Sequence, residues 1–538
     1  MRRRRTRETP KPKPRKTRKN GSRHLKDNRI KWDTRIGTFA RPRDAEPGLF
    51  DRPLAPRISL FISGIWLITL FGAAVRFTLL EHPMRYDESY NYLNFVSHGV
   101  TYISTQYTPN NHVFHTLLVR LASALFGTAP HALRLPAFLA GVLLVPATAW
   151  LAWVLSRRAS VALISALAVC CSSPLIEYSV SARGYSLLAL LTVLTVVCFG
   201  RAMESPGKRF WWSLGGLLGA LGTYTVPVMV LPLAGLGAVV LINGLRSVRD
   251  SPQRSNLLSG LVRATVIWAA FTGLFYGPIL VVGGVQPFSE SGRMAYDILG
   301  RQTETAGAVL IQAWQLWTRH VPLVVELVFA LGAVVYVVRT VQTPSPERWL
   351  PIALVGVSVI AVVGSSAPLP SRAWLFALPI FFILGTYGLC EFFVREPQTV
   401  LRRALAGSVM AILAAIPFFS LANVLEAPYL CAEPKGLVEV EEVLDECRAF
   451  GPERCALVAP YSPATAYYMI QKQIPPLPIP TSAQVERVYI VADNERPLDG
   501  LWHAGVEGFA AFDPPRVVRK LRLSTVYFAE RTARSALR

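Results

Sequence analysis

Residues 58–80 read ISLFISGIWLITLFGAAVRFTLL, and residues 81–92 continue EHPMRYDESYNY. The first stretch holds one charge, Arg76, in 23 positions. A helix rises about 1.5 Å per residue, so this stretch is long enough to cross a hydrocarbon core of about 30 Å. The second stretch is polar and aromatic, with Asp87 and Glu88 side by side just beyond the apolar run. An apolar span that delivers charge to one membrane face is the signature of an integral membrane protein.

Further apolar blocks follow at about 135–155, 159–178, 184–203, 210–224, 225–243, 261–284, 321–339, 349–366, 373–394 and 404–424. With the first, they predict an α-helical polytopic membrane protein of about eleven transmembrane helices. The 538 residues are 52% hydrophobic, which argues against a string of soluble domains. Residues 1–57 carry 20 Lys/Arg against 6 Asp/Glu and little that could form a core. They read as a basic disordered tail, cytoplasmic and in contact with anionic lipid. No aromatic or fold motif accompanies this charge, so no nucleic-acid partner is expected. No cleavable signal is read before Ile58.

One block, 113–127, is ambiguous, and parity makes it decisive. If it does not span, the clusters Arg157-Arg158, Arg201/Lys208/Arg209, Arg246/Arg249/Arg254, Arg339/Arg348 and Arg395/Arg402/Arg403 all share the tail's side. If it spans, all of them move across, against the positive-inside rule. On a helix, Phe114, Leu117, Leu118, Leu121 and Leu125 form one stripe, with His112, Thr116, Arg120 and Ser123 opposite. The block therefore reads as an amphipathic helix in the outer interface.

The expected plan has three parts: the tail 1–57, a membrane domain 58–425 and a C-terminal extracytoplasmic domain 426–538. The membrane domain has outer loops at 81–134 and 285–320. The C-terminal part reads as a small α/β extramembrane domain, with strands at 455–460 and 487–492 and a helix at 464–471. The localisation implied is the plasma (inner) membrane, multi-pass, N-terminus cytoplasmic. Cys170, Cys171, Cys198 and Cys390 lie in apolar blocks, whereas Cys431, Cys447 and Cys455 lie in the polar C-terminal part. Those three permit one disulfide, with the pair left open.

Charges beside a membrane face need a reason. The pair Asp87-Glu88 suits a base, or the ligands of a divalent cation, where a lipid head group meets the outer leaflet. Glu177 lies at the outer end of an apolar block, six residues before Arg183, and reads either as a second acidic site or as half of an ion pair. Arg372 stands at the mouth of the 373–394 block, and Arg293 in the 285–320 loop.

The strings Arg85-Tyr86-Asp87-Glu88, Pro109-Asn110-Asn111-His112, Leu133-Arg134-Leu135-Pro136 and Ser181-Ala182-Arg183-Gly184-Tyr185, in this order and spacing, carry a resemblance. They resemble the GT-C membrane glycosyltransferases, in particular the family of protein O-mannosyltransferases and the bacterial lipid A aminoarabinose transferase. The likeness is specific over about 58–245, architectural to about 425 and absent beyond. It implies an enzyme that moves a sugar from a polyprenyl-phosphate donor to an acceptor hydroxyl on a lipid, glycan or protein at the outer face. It implies Asp87 as base with inversion, Glu88 as its partner or a metal ligand, and His112, Arg183, Tyr185, Arg372 and Arg293 on the donor phosphate or substrate. No cofactor is fixed by it; a divalent cation would sit at Asp87 and Glu88. The chain departs at Val113, where relatives often have Pro, and at Ser181, where they often have an acid. Glu177, four residues before Ser181, is the expected replacement if the helix continues. The rival readings are a flippase or transporter for lipid-linked sugar, and a catalytically inactive assembly subunit. The charges cluster at one face and no inverted repeat is visible, which disfavours transport.

Overall fold

The computed structural model describes residues 55–249, 251–290, 306–365, 369–394, 407, 421–422, 437–459, 462–478, 482–493, 498, 512–520 and 524–532. The basic tail through residue 54, Arg293, Cys431 and nearly all of the expected span 404–424 lie outside the described residues. The chain is an α-helical, multi-pass membrane protein with a small C-terminal sheet.

The helices, in chain order, are α1 (Ala55–Phe77), α2 (Tyr86–Asn94), α3 (Val100–Thr105), α4 (Val113–Phe126), α5 (Pro130–Ser156), α6 (Ala159–Cys171), α7 (Ser173–Ser179), α8 (Tyr185–Glu204), α9 (Arg209–Thr225), α10 (Val230–Arg246), α11 (Pro252–Gly283), α12 (Ala306–Trp317), α13 (Leu323–Gln342), α14 (Pro346–Ser365) and α15 (Leu378–Val394). Among the described residues, 8 are long and apolar enough to cross a membrane, or 9 if α6 and α7 make one bent span. The expected span 159–178 is thus broken by 61°. The freed carbonyls of Val169 and Cys170 accept from the buried Arg76 guanidinium, which explains an arginine at the end of the first span. The expected span 210–224 is α9, whose 17 residues reach only about 25 Å. Elsewhere small residues allow close packing. A Cβ on Gly388 of α15 would lie 1.8 Å from the Gly332 carbonyl oxygen of α13.

Polar contacts sort the helix ends into two sets. At one end, Arg157 pairs with Glu204, Arg158 donates to Cys390 O, and Arg348 pairs with Glu391 at 2.6 Å. At the other, the segment after α1 meets α5 through Arg134 and α7 through Glu177, and Arg372, ahead of α15, meets Tyr185 at the start of α8. Both ends of α4 belong to this second set. His112 accepts from Gly184 N, and Thr128 binds Gln471. Both ends of the 113–127 helix thus lie among the same set of helix ends. Its faces are used in the membrane sense: Leu121 and Leu125 point outward, while Thr116 and Ser123 are buried against protein.

The C-terminal part comprises α16 (Leu437–Phe450), β1 (Cys455–Val458), α17 (Ser462–Gln471), β2 (Arg487–Asp493), β3 (Arg516–Lys520) and β4 (Ser524–Glu530). The strands order as β1-β2-β4-β3, parallel between β1 and β2 and antiparallel elsewhere. Val440, Val443, Leu444 and Cys447 form the buried stripe of α16. Cys447 and Cys455 are joined in a disulfide, which selects one of the pairings left open by the sequence. Helix α17 packs on α2, so this domain sits at the Asp87 end.

Candidate active site

Helix α2 begins where the chain leaves the first span, and its first turn presents Asp87 and Glu88. Glu88 is 1% exposed and so is Arg134 of α5. The Glu88 carboxylate accepts from Arg134 Nε at 2.9 Å and Nη2 at 2.7 Å, from Ala182 N at 2.5 Å and from Arg85 N at 3.0 Å. Burial pushes its carboxyl up, but the bidentate guanidinium and the N–H donors outweigh that and hold it below its ordinary range. Arg134 in turn donates to the carbonyls of Leu80, His82 and Pro83. Glu88 is therefore the pin that ties α1, α2, α5 and the Ala182 loop together.

Glu177 is also engaged. Its oxygens accept from Arg85 at 3.1 Å and Arg319 at 2.9 Å. Glu177 is thus an ion-pair member, one of its two sequence readings, with Arg85 and Arg319 as partners. Helix α7 stops at Ser179, so Glu177 and Ser181 do not share a helical face and the substitution argument for Ser181 lapses. Asp87 differs from both. About a third of its side chain is exposed, and its contact is Oδ2 to Arg372 Nη2 at 3.4 Å. Arg372 Nε donates to Tyr185 OH at 2.9 Å.

Tyr185 links Asp87's surroundings to the second motif. Its ring meets those of His112 and Tyr178 edge-on at 4.8 and 5.3 Å, and Arg183 stands 6.0 Å from its centroid. His112 caps α4 and accepts at Nδ1 from Gly184 N at 2.9 Å, so its proton is on Nε2. Burial first, then Arg183, His115 and Arg372, hold its pKa well below the usual value. His112 therefore offers a neutral N–H at Nε2. Arg183 donates to Asn110 O at 2.8 Å, is 3% exposed, and keeps Nε without a partner. Among the described residues it has no carboxylate partner. A buried guanidinium without a counter-ion is costly unless an anion completes it.

The structure thus brings Asp87, Arg372, Tyr185, His112 and Arg183 into one strip, with Glu177 beside it and Glu88 beneath. Arg293 lies outside the described residues. Residues that sequence reasoning left without a role are Arg85, Arg134 and Arg319. The first two stand inside the quoted motifs, and only their partners, 92 and 46 positions away, reveal their use. Among the described residues no three His, Cys, Asp or Glu side chains converge on a metal position. Glu88 does not fit a ligand's part, since four donors already occupy its oxygens.

Residues 111–269 match the family model described as dolichyl-phosphate-mannose-protein mannosyltransferase. In fold the chain is similar to ArnT from Cupriavidus metallidurans bound to undecaprenyl phosphate. That likeness has a TM-score of 0.53 at 13% identity, over 88% of this chain and 98% of that one. It is also similar to the Archaeoglobus fulgidus oligosaccharyltransferase in complex with Zn and sulfate. There the TM-score is 0.50 at 12% identity, over 86% of this chain and 72% of that one. No curated protein matches the sequence.

Proposed function

We propose that this chain, a membrane protein of the GT-C glycosyltransferase fold whose residues 111–269 match the mannosyltransferase family, moves a sugar from a polyprenyl-phosphate donor to an acceptor hydroxyl, with Asp87 as the base. The observation that carries the reading is the different state of three carboxylates at one membrane face. Glu88 is engaged by the Arg134 guanidinium and two backbone N–H groups and Glu177 by two guanidinium groups, while Asp87 is about a third exposed with one long contact to Arg372. A carboxylate that must accept a proton needs a free lone pair in the cleft.

The cations suit the other half of the reaction. Among the described residues, Arg85 and Arg319 pair with Glu177, Arg372 pairs with Asp87, and Arg183 pairs with no carboxylate. The surplus of positive charge matches a phosphate. The acceptor oxygen gives its proton to Asp87 and bonds to the anomeric carbon. The carbon–oxygen bond to phosphate breaks on the opposite face, which inverts the anomeric centre. The departing polyprenyl phosphate takes the electron pair, and Arg183 and Arg372 stabilise that charge. His112 Nε2–H can donate to a phosphate or sugar oxygen.

We place the Asp87 end and the C-terminal sheet outside, with the N-terminus cytoplasmic. The basic clusters at the opposite helix ends and the Cys447–Cys455 bridge beside the Asp87 end support that orientation. The test is a transfer assay on the purified full chain with a polyprenyl-phosphate sugar, beside a binding measurement with polyprenyl phosphate alone. Asp87→Asn should lower transfer by about 10²-fold or more and leave phosphate binding near wild type. Full turnover by well-folded Asp87→Asn would remove Asp87 as the base.

A further inference from the structure

The backbone between the first span and Asp87 can be accounted for group by group. The carbonyls of Leu80, His82 and Pro83 accept from Arg134. The N–H of Arg85 goes to Glu88. The N–H of Met84, a fully buried residue, goes to Tyr468 OH at 2.7 Å, 384 positions away on α17 of the C-terminal domain. Tyr468 is itself 4% exposed. The neighbouring Tyr467 donates to Thr128 O at 2.7 Å and meets Tyr92 edge-on at 5.4 Å, while Gln471 binds the Thr128 hydroxyl. One helix of the C-terminal domain thus holds the 81–134 loop near both ends, and among its described hydrogen bonds the one from Met84 N to Tyr468 falls on the segment that leads into Asp87.

We propose that Tyr468 is a positioning residue for Asp87: its hydroxyl fixes the Met84 amide and thereby the direction in which the first turn of α2 presents the carboxylate. This rests on the transferase reading for its kinetic consequence, not for the contact itself. Without the hydroxyl, Met84 N–H is buried and unpaired, and the chain can recover it only by shifting toward water. A shift of about 1 Å at a reacting group is enough to cost on the order of 10²-fold in rate. The substrate phosphate is held elsewhere, on Arg183 and Arg372, so its binding is spared.

The experiment uses the full chain with Tyr468→Phe and, as a control, Tyr467→Phe, which removes the Thr128 contact but keeps the ring on Tyr92. Tyr468→Phe should lower kcat by about tenfold or more with KM for the polyprenyl-phosphate sugar little changed. Tyr467→Phe should leave kcat near wild type. Hydrogen exchange in the peptide containing Met84 should speed up in Tyr468→Phe and not in Tyr467→Phe. Equal kinetic losses in the two variants would mean that the tyrosines only dock the domain, and would overturn the proposal. So would a Tyr468→Phe enzyme with full kcat and unchanged exchange at Met84. If wild type transfers no sugar from any polyprenyl phosphate, the transferase reading fails, and the exchange measurement still decides whether Tyr468 holds Met84.

Discussion

Replacing Glu88 by Gln exchanges one atom, and the structure sets a large effect on it. The wild-type carboxylate accepts four hydrogen bonds and neutralises Arg134, both groups being 1% exposed. Glutamine offers one carbonyl oxygen, and its amino group must face donors. Arg134 keeps its charge in a dry site without its counter-ion. Breaking a buried pair in this way costs about 3–5 kcal/mol. Against a total stability of about 5–15 kcal/mol that is a large share. Thermal unfolding in detergent or nanodiscs should show a strongly lowered midpoint and a smaller folded fraction after extraction. The carboxyl is held below its ordinary range, so its contribution is present above about pH 4 and is lost as pH falls through the lowered folded value. The gap between wild type and Glu88→Gln should therefore be constant from about pH 5 to 8 and close only in stronger acid. Glu88→Gln/Arg134→Met should recover part of the loss, since no orphan charge remains. It should not recover all of it, because the carbonyls of Leu80, His82 and Pro83 lose their donor. A Glu88→Gln protein that melts like wild type but transfers no sugar would refute this reasoning and return Glu88 to the chemistry.

Gly184→Ala should weaken polyprenyl-phosphate binding and transfer together. A Cβ there would stand 2.9 Å from Thr225 Cγ2 and 3.0 Å from His112 Nδ1, displacing the imidazole from its N–H partner at a strain of about 1–3 kcal/mol, measurable by binding isotherm and melting point. For topology, Ser289→Cys and Ala129→Cys should react with an impermeant thiol reagent on intact cells and Ser205→Cys should not. Labelling of the 129 position only after permeabilisation would reverse the reading of α4.

The spans were legible because a membrane tolerates few charged interruptions. The break between α6 and α7 was not read, although Ser172-Ser173-Pro174 marks it, since the apolar run continues through it. In α4 the periodicity gave the two faces, and the protein buries the polar one. Thr116 reaches toward Asn91 Oδ1 at 3.4 Å, an inversion of the aqueous rule that follows from lipid on the other side. Strands β3 and β4 were missed: the sheet needs the long-range register Arg487↔Glu530 to exist, and no local signal encodes it.

The division of labour between Asp87 and Glu88 shows where sequence reading of a site stops. Two adjacent carboxylates in a loop can close on one cation or one substrate. Adjacent carboxylates on a helix point about 100° apart, so they serve different surroundings. Which case holds depends on where α2 starts, and that start is fixed by groups far along the chain: Arg134 on the carbonyls before it, Glu88 on the N–H of Arg85, Tyr468 on the N–H of Met84. Once the helix begins at Tyr86, Glu88 turns inward onto Arg134 and Asp87 turns toward Arg372 and solvent. The motif names both residues. The tertiary anchors decide that one holds the loop and that the other keeps contact with Arg372 and solvent.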